Sequence, residues 1–163
     1  MIVCIHRLRT ACPRHAAALL LLGLSLGSAA PALAQTSFRG TIVYEKIPAG
    51  RNGLDVQNPV RTAAAGVKVE IVASPARTVL GSGFTDEKGG YSIPVRLGRN
   101  GQVYVRALAQ TENAQVVRAG DRAEFSIVSE PFTPGRTRTV QRDLLATDSS
   151  RVAGAFNIAV TIW

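Results

Sequence analysis

Residues 66–95 constrain the fold of this chain more than any other part of the sequence. Apolar residues alternate with charged ones over 67–71, which is the two-residue period of a half-buried strand. A second run, 79–85, leads into a polar stretch, 86–90, that ends in Gly-Gly, and an alternating run over 91–95 follows. Glycine supplies the positive φ that a return turn needs, so this order predicts a hairpin. The segment therefore predicts three consecutive antiparallel strands.

Several short runs of the same kind occupy the rest of the sequence beyond residue 35. Turn signals about every ten residues, with no convincing helical pattern, favour an all-β fold. In the last run Phe156, Ile158, Val160 and Ile162 alternate with smaller or polar residues. We expect a single β-sandwich of about seven strands, with a small up-and-down barrel as the alternative. The further predicted strands are 38–45, 102–109, 115–118, 123–127, 136–146 and 155–163, and 48–65 is predicted to be a long loop with an extended piece at 58–61.

Residues 1–34 have the features of a cleavable Sec-type export signal. Basic residues precede an apolar stretch, 16–26, and Ala32-Leu33-Ala34 then forms a small-x-small cleavage pattern. The apolar stretch is too short to span a bilayer as a stable helix. We therefore predict cleavage after Ala34, a secreted or periplasmic protein, and no transmembrane helix in the processed chain.

Cleavage at this point would remove every Cys, His and Met from the chain. A Cys nucleophile, a Ser/His/Asp triad and a His-ligated zinc are then excluded. We expect no enzymatic activity, no catalytic residue, no metal and no cofactor. Three Arg leave with residues 1–34, so 16 of the 19 Lys and Arg remain against 11 Asp and Glu. For an exported protein this excess suggests attraction to anionic surfaces, such as envelope polysaccharide, with no nucleic-acid partner.

The alternating run at 66–71, followed by Thr85-Asp86-x-x-Gly89-x-Tyr91, resembles the carboxypeptidase regulatory-like domains. These are similar in fold to transthyretin and to the B-type repeats of collagen adhesins. The resemblance implies a seven-stranded Greek-key sandwich over 35–163, used as an accessory, spacer or ligand-binding module. Within the motif, Asp86 and Gly89 have the residue types of a structural turn, and Tyr91 opens the next strand. Asp86 and Glu87 alone make a poor Ca²⁺ cage.

The resemblance to adhesin repeats also suggests an internal cross-link. Such repeats join a first-strand Lys to a last-strand Asn through an isopeptide bond assisted by a buried carboxylate. Here the corresponding residues would be Lys46, Asn157 and Glu70. The chemistry needs a desolvated, deprotonated Lys beside the amide, whereas Lys46 is predicted next to a polar loop.

Two further groups of residues are candidates for ligand contact. An aromatic set could stack on sugars, although each member also fits a strand pattern typical of core packing. An arginine set along the strand predicted at 136–146 could hold an anionic glycan, or could form a solvated face that discourages edge pairing. The aromatic set is Tyr44, Tyr91, Tyr104 and Phe156, and the arginine set is Arg136, Arg138 and Arg142.

These features together predict an exported, non-catalytic β-sandwich module that acts in binding or as a structural spacer at the cell envelope or outside the cell. The expected partner is envelope polysaccharide or another secreted protein. One alternative is a carbohydrate-binding module that uses exposed aromatics and Arg. Another is an accessory domain of a larger secreted enzyme, cut at Trp163.

Overall fold

The computed structural model describes residues 35–51, 53–98, 101–135, 137–150 and 152–163. The predicted export signal, 1–34, and Arg136 lie outside the described residues. A short 3₁₀ turn, Asp148–Ser150, precedes the one described α-helix, α1 (Ala153–Ile162). The strands are β1 (Gln35–Lys46), β2 (Ala49–Gly50), β3 (Gly53–Leu54), β4 (Val60–Ala63), β5 (Lys68–Ser74), β6 (Val79–Phe84), β7 (Gly90–Arg96), β8 (Gln102–Leu108), β9 (Ser126–Val128), β10 (Thr139–Gln141) and β11 (Leu144–Ala146).

The first sheet is built around β1, a strand of 12 residues. On one side, β7 pairs antiparallel with the first half of β1 and β4 pairs antiparallel with its last four residues. On the other side, β10 and then β11 pair parallel with β1. Phe38, Ile42 and Tyr44 are buried, as expected for a strand with one face in the core. One long strand thus supports four shorter ones.

The second sheet is antiparallel, with the order β6-β5-β8-β9. Central β5 is buried over Val69–Val72, and β8 alternates buried with half-buried residues, which fits two inner strands. The three strands predicted over 66–95 are present as β5, β6 and β7. However, β7 pairs with β1 in the first sheet rather than with β6.

Inward-facing side chains from both sheets and from α1 form one hydrophobic cluster. The fold is predominantly β, as the sequence predicts. The described strands are divided between separate sheets instead of one closed sheet. The largest fully buried side chains of the cluster are Phe38, Ile42, Val67, Val69, Ile71, Val103, Val105 and Phe156.

The strand predicted at 155–163 is wrong, because this segment forms α1. Its buried residues Ala153, Ala155, Phe156 and Ala159 share one helical face, whereas Ile158 and Ile162 are exposed. Alanine has the highest helix propensity, and its small side chain lets α1 pack closely on β1. The alternation of large residues from 156 to 162 is therefore not the pattern of burial.

Four other predicted segments differ in detail from the structure. The strand predicted at 136–146 is two short strands, β10 and β11, separated by Arg142 and Asp143. Only isolated bridges join residues 115–118 to the sheet, and the strand predicted at 123–127 is the shorter β9. The predicted loop at 48–65 contains the β2–β3 hairpin and β4.

Among the described residues, no helix is both long and apolar enough to cross a membrane.

Candidate functional site

The Thr85–Tyr91 segment forms a hydrogen-bonded turn between the two sheets. The Asp86 carboxylate accepts hydrogen bonds from the backbone N–H groups of Lys88 and Gly90, both at 2.8 Å. Gly89 has a φ of 75°, and an added Cβ would overlap the Ile42 carbonyl oxygen. The buried Thr85 hydroxyl accepts from the Val67 N–H and donates to the Ala64 carbonyl. Asp86 is thus occupied by the backbone of its own turn.

Tyr91 connects β7 to the break between β10 and β11. Its buried hydroxyl donates a 2.7 Å hydrogen bond to the Arg142 carbonyl. Burial, and then the Asp143 carboxylate, raise the pKa of the Tyr91 phenol, against the lowering effect of Arg142. An added Cβ at Gly40 would overlap that same Arg142 carbonyl. Glycine at this position therefore lets the two strands approach each other.

The neighbouring Asp143 fills the gap that this break leaves in the sheet. Its carboxylate accepts hydrogen bonds from the Thr41 backbone N–H at 2.7 Å and from the Thr41 hydroxyl at 2.9 Å. These bonds, the backbone one above all, lower the pKa of Asp143. Beside it, the Arg142 guanidinium lies 4.1 Å from the centre of the Phe132 ring. Asp143 and Arg142 are thus both engaged with the protein itself.

The structure places the three residues of the cross-link hypothesis in different surroundings. Lys46 is exposed at the end of β1, and Asn157 lies on a helix rather than on the strand that the hypothesis assumed. The Asn157 side-chain carbonyl accepts a 3.3 Å hydrogen bond from the Tyr44 hydroxyl. Glu70 lies on the second sheet, where it binds Lys68 and Arg106. Among the described contacts, none joins Lys46 to Asn157 or Glu70.

Of the four candidate aromatics, only Tyr104 reaches the surface. Tyr44, Tyr91 and Phe156 are buried in the core cluster, and Tyr104 is half-buried on β8. Arg138 and Arg142 are exposed on either side of β10. The sequence reasoning passed over the aromatic side chain of Phe84, which is exposed on β6.

Two open grooves on the described surface contain residues that the sequence singled out. The first, of about 550 Å³, lies beside the Asp86 turn and is lined by Arg39, Thr41, Phe84, Asp86, Tyr91 and Gln141, among others. Its main polar groups are already engaged: the Asp86 carboxylate caps its turn, the Tyr91 hydroxyl binds Arg142, and the Thr41 hydroxyl binds Asp143. These three groups are therefore engaged with the protein itself.

The second groove, of about 540 Å³, surrounds Tyr104 on the outer side of the second sheet and is called the Tyr104 groove. No hydrogen bond to a described residue engages the side chains of Tyr104, Arg77, Ser74 or Ser126. This groove therefore offers an aromatic ring and several polar groups to a ligand. Its lining residues are Ser74, Pro75, Arg77, Tyr104, Arg106, Ser126, Val128, Ser129, Glu130 and Pro131.

Two irregular segments form the walls of the Tyr104 groove. In the β5–β6 turn, Arg77 has a φ of 57°, a left-handed conformation that is unfavourable for a residue with a side chain. On the opposite wall, Ser129 bonds to Val105 and Phe132 bonds to Val103. The two bonded positions are two residues apart on β8 but three residues apart on the segment that follows β9. The extra residue makes an irregularity like a β-bulge, which redirects side chains.

Arg106 is positioned in this groove by a buried carboxylate. Glu70, 5% exposed, accepts from Arg106 Nε at 2.9 Å and from Nη2, and its other oxygen lies 3.2 Å from Lys68 Nζ. Burial acts to raise the pKa of Glu70, but the hydrogen bonds and charges of Arg106 and Lys68 outweigh burial and lower it. The ionised Glu70 thus holds the Nε–Nη2 edge of the Arg106 guanidinium and leaves Nη1 available to a ligand.

Metal binding has no support in the described part of the chain, where no cluster of three or more His, Cys, Asp or Glu side chains is present.

Comparison with known proteins identifies no family for this chain. No protein-family model matches the chain, and no curated protein sequence matches it. Among solved structures, a 9R-lipoxygenase from Cyanothece PCC8801 aligns with 14% identity and a TM-score of 0.39. The alignment covers 73% of this chain and 17% of the lipoxygenase chain. A similarity of this size carries no argument about fold or function.

Proposed function

We propose that this chain is an exported, non-catalytic binding module whose Tyr104 groove holds a short stretch of polysaccharide. The proposed fold is a Greek-key sandwich of the carboxypeptidase regulatory-like kind over residues 35–163. The proposed location is the cell envelope or the cell exterior, after cleavage behind Ala34. The observation that carries the proposal is the combination of one accessible aromatic ring with guanidinium and hydroxyl groups that lack a described protein partner.

A saccharide matches the chemistry of this groove. The ring of Tyr104 offers an apolar face beside a polar hydroxyl, which suits the mixed surface of a sugar ring. Arg77 and Arg106 donate hydrogen bonds to hydroxyl or carboxylate oxygens, and Ser74 and Ser126 both donate and accept. The groove is open, so it suits a segment of a polymer better than an enclosed small molecule.

A binding role without catalysis is consistent with the residue types present. Beyond Ala34 the sequence has no His or Cys. The carboxylates nearest the groove are Glu70, which is held by two cations, and Glu130. General acid–base chemistry on a glycosidic bond would need two carboxyl groups facing each other across it.

Retardation of the purified protein in gels containing polysaccharide tests the proposal. Uronate-rich and neutral polymers are compared, and the Kd for the best oligosaccharide is then measured by calorimetry. Replacing Tyr104 with Ala should raise that Kd roughly tenfold or more, as loss of an aromatic anchor does. Arg96→Ala is the control, because Arg96 is exposed on β7 and does not line the groove. If no polymer retards the unmodified protein, the groove proposal fails and a spacer role is favoured.

The substitution Arg77→Gly separates a binding role from a structural one. Glycine adopts a φ of 57° without strain, so the free energy of unfolding should stay the same or rise by up to about 1 kcal/mol. Saccharide affinity should nevertheless fall, because a guanidinium is removed from the groove. Unchanged affinity in this variant would show that Arg77 does not contact the ligand.

A further inference from the structure

The edge strand β6 differs from the other edges of the two sheets. It has the sequence Val-Leu-Gly-Ser-Gly-Phe, with no proline and no ionisable side chain. Val79, Leu80 and Phe84 are 44%, 39% and 42% exposed. Natural proteins normally protect an edge strand with charge, proline, a bulge or short length, because its unpaired backbone binds other strands. In β6 an extra residue near Leu80 disturbs the pairing only at the start of the strand.

The other described edges carry such protection. β7 contains Pro94 and Arg96, and β4 is four residues long and contains Arg61. The strands β9, β10 and β11 have three residues each. Among the described edges, β6 is therefore the longest that has neither proline nor charge.

The hydrogen-bond pattern shows which backbone groups of β6 point away from the sheet. The Lys68 N–H bonds to Gln110 on the β8 side, so Val69 and Ile71 direct their groups towards β6. Their partners there are Gly83 and Gly81. Ser82 and Phe84 consequently direct their N–H and C=O groups outward, where no described residue binds them.

The strand is held in place from its inner side. Gly81 and Gly83 lie over the Ile93 side chain of β7, where an added Cβ would come within 3.2 and 3.3 Å of it. This close packing fixes the position of β6 against the first sheet. Its outer edge is therefore ordered before any partner binds, which lowers the entropic cost of pairing.

The sequence of β6 is complementary to itself in antiparallel pairing. With the two-fold axis at Ser82, the two Ser82 hydroxyls face each other, and Phe84 of each copy comes nearest to Leu80, the extra residue of the irregular start of β6, in the other copy. Hydroxyl pairs and aromatic–aliphatic pairs are favourable across strands. Lys and Arg outnumber Asp and Glu in this chain, and contact along an uncharged strand avoids placing like charges opposite each other.

We propose that two copies of this chain associate by antiparallel pairing of β6 about Ser82, which joins their second sheets into one continuous sheet. The occupant of the free edge is thus a second copy. The inference is independent of the saccharide proposal, because it uses none of the residues that line the Tyr104 groove.

Sedimentation velocity over a range of protein concentrations tests the pairing. The unmodified protein should form a dimer, whereas Ser82→Lys and Ser82→Glu, each alone, should weaken self-association at least roughly tenfold, because like charges then meet at the axis. An equimolar mixture of the two variants should form the dimer again, because Lys then lies opposite Glu. The control Ser92→Lys places the same charge at an exposed position of β7 and should leave the dimer intact.

Recovery in the mixture also shows that both variants are folded, since misfolded chains would not pair in this register. A monomer at all concentrations for the unmodified protein overturns the proposal. A dimer that persists in Ser82→Lys, or a mixture that stays monomeric, overturns it as well.

Discussion

At the scale of single residues, the Tyr91 hydroxyl holds together the most irregular part of the first sheet. Its hydrogen bond to the Arg142 carbonyl satisfies a group that the break between β10 and β11 leaves without a strand partner. We expect Tyr91→Phe to lower the free energy of unfolding by about 1–3 kcal/mol, because the Arg142 carbonyl, which packs against Gly40, then loses its donor. Denaturant unfolding followed by circular dichroism measures the change.

Removal of the hydroxyl group of Tyr104 is the matched control for Tyr91→Phe. Tyr104 is half-buried, and no described residue accepts a hydrogen bond from its hydroxyl. Tyr104→Phe should change the free energy of unfolding by less than about 0.5 kcal/mol. Equal losses in the two variants would show that the Tyr91–Arg142 bond contributes nothing of its own.

At the scale of elements, the sequence predicts what depends on neighbouring residues and misses what depends on distant ones. The strands and the turn around Asp86 follow from local alternation and turn chemistry, and they are present. The assignment of β7 to the first sheet depends on β1, a partner about fifty residues away, which no local pattern reveals. The alternation over 155–163 predicted a strand, and only the burial of Ala153 and Ala159 in the core identifies the helix.

Paired substitutions in α1 test this helix directly. Ile158 is 51% exposed and Ala159 is fully buried, whereas a strand would bury Ile158 together with Phe156. Ile158→Gln should change the free energy of unfolding by less than about 0.5 kcal/mol. Ala159→Gln should lower it by more than about 2 kcal/mol, because a larger polar side chain enters the core. Thermal and urea unfolding of both variants give the comparison, and the reverse order of effects would support the strand.

At the scale of the whole molecule, the Tyr104 groove forms where three distant segments meet. Arg77 comes from the β5–β6 turn, Tyr104 from β8, and Ser129 from the irregular segment after β9. Tyr104 was a sequence candidate, but its exposure relative to Tyr44 and Tyr91 depends on which strand face turns inward. Arg77 gave no sequence signal beyond its place after Ser-Pro.

An antiparallel β6 pair relates the copies by a two-fold axis perpendicular to the sheet, so both grooves would face the same side. The two proposals together therefore predict bivalent binding to a polymer.

The stability of the whole domain should depend on pH through Glu70. A carboxyl with a lowered folded-state pKa stabilises the fold fully above its unfolded value, here about 4.5. That stabilisation is lost as the pH falls below this value and through the lower folded-state pKa.

Glu70→Gln should cost about 1–2 kcal/mol at neutral pH, because it removes the charge that Lys68 and Arg106 share. The difference between the variant and the unmodified protein should shrink steadily towards about pH 3. Urea unfolding across this range measures it, with Glu87→Gln, an exposed turn residue, as the control. A difference that stays constant with pH would mean that the cost arises from packing rather than from the ionised carboxylate.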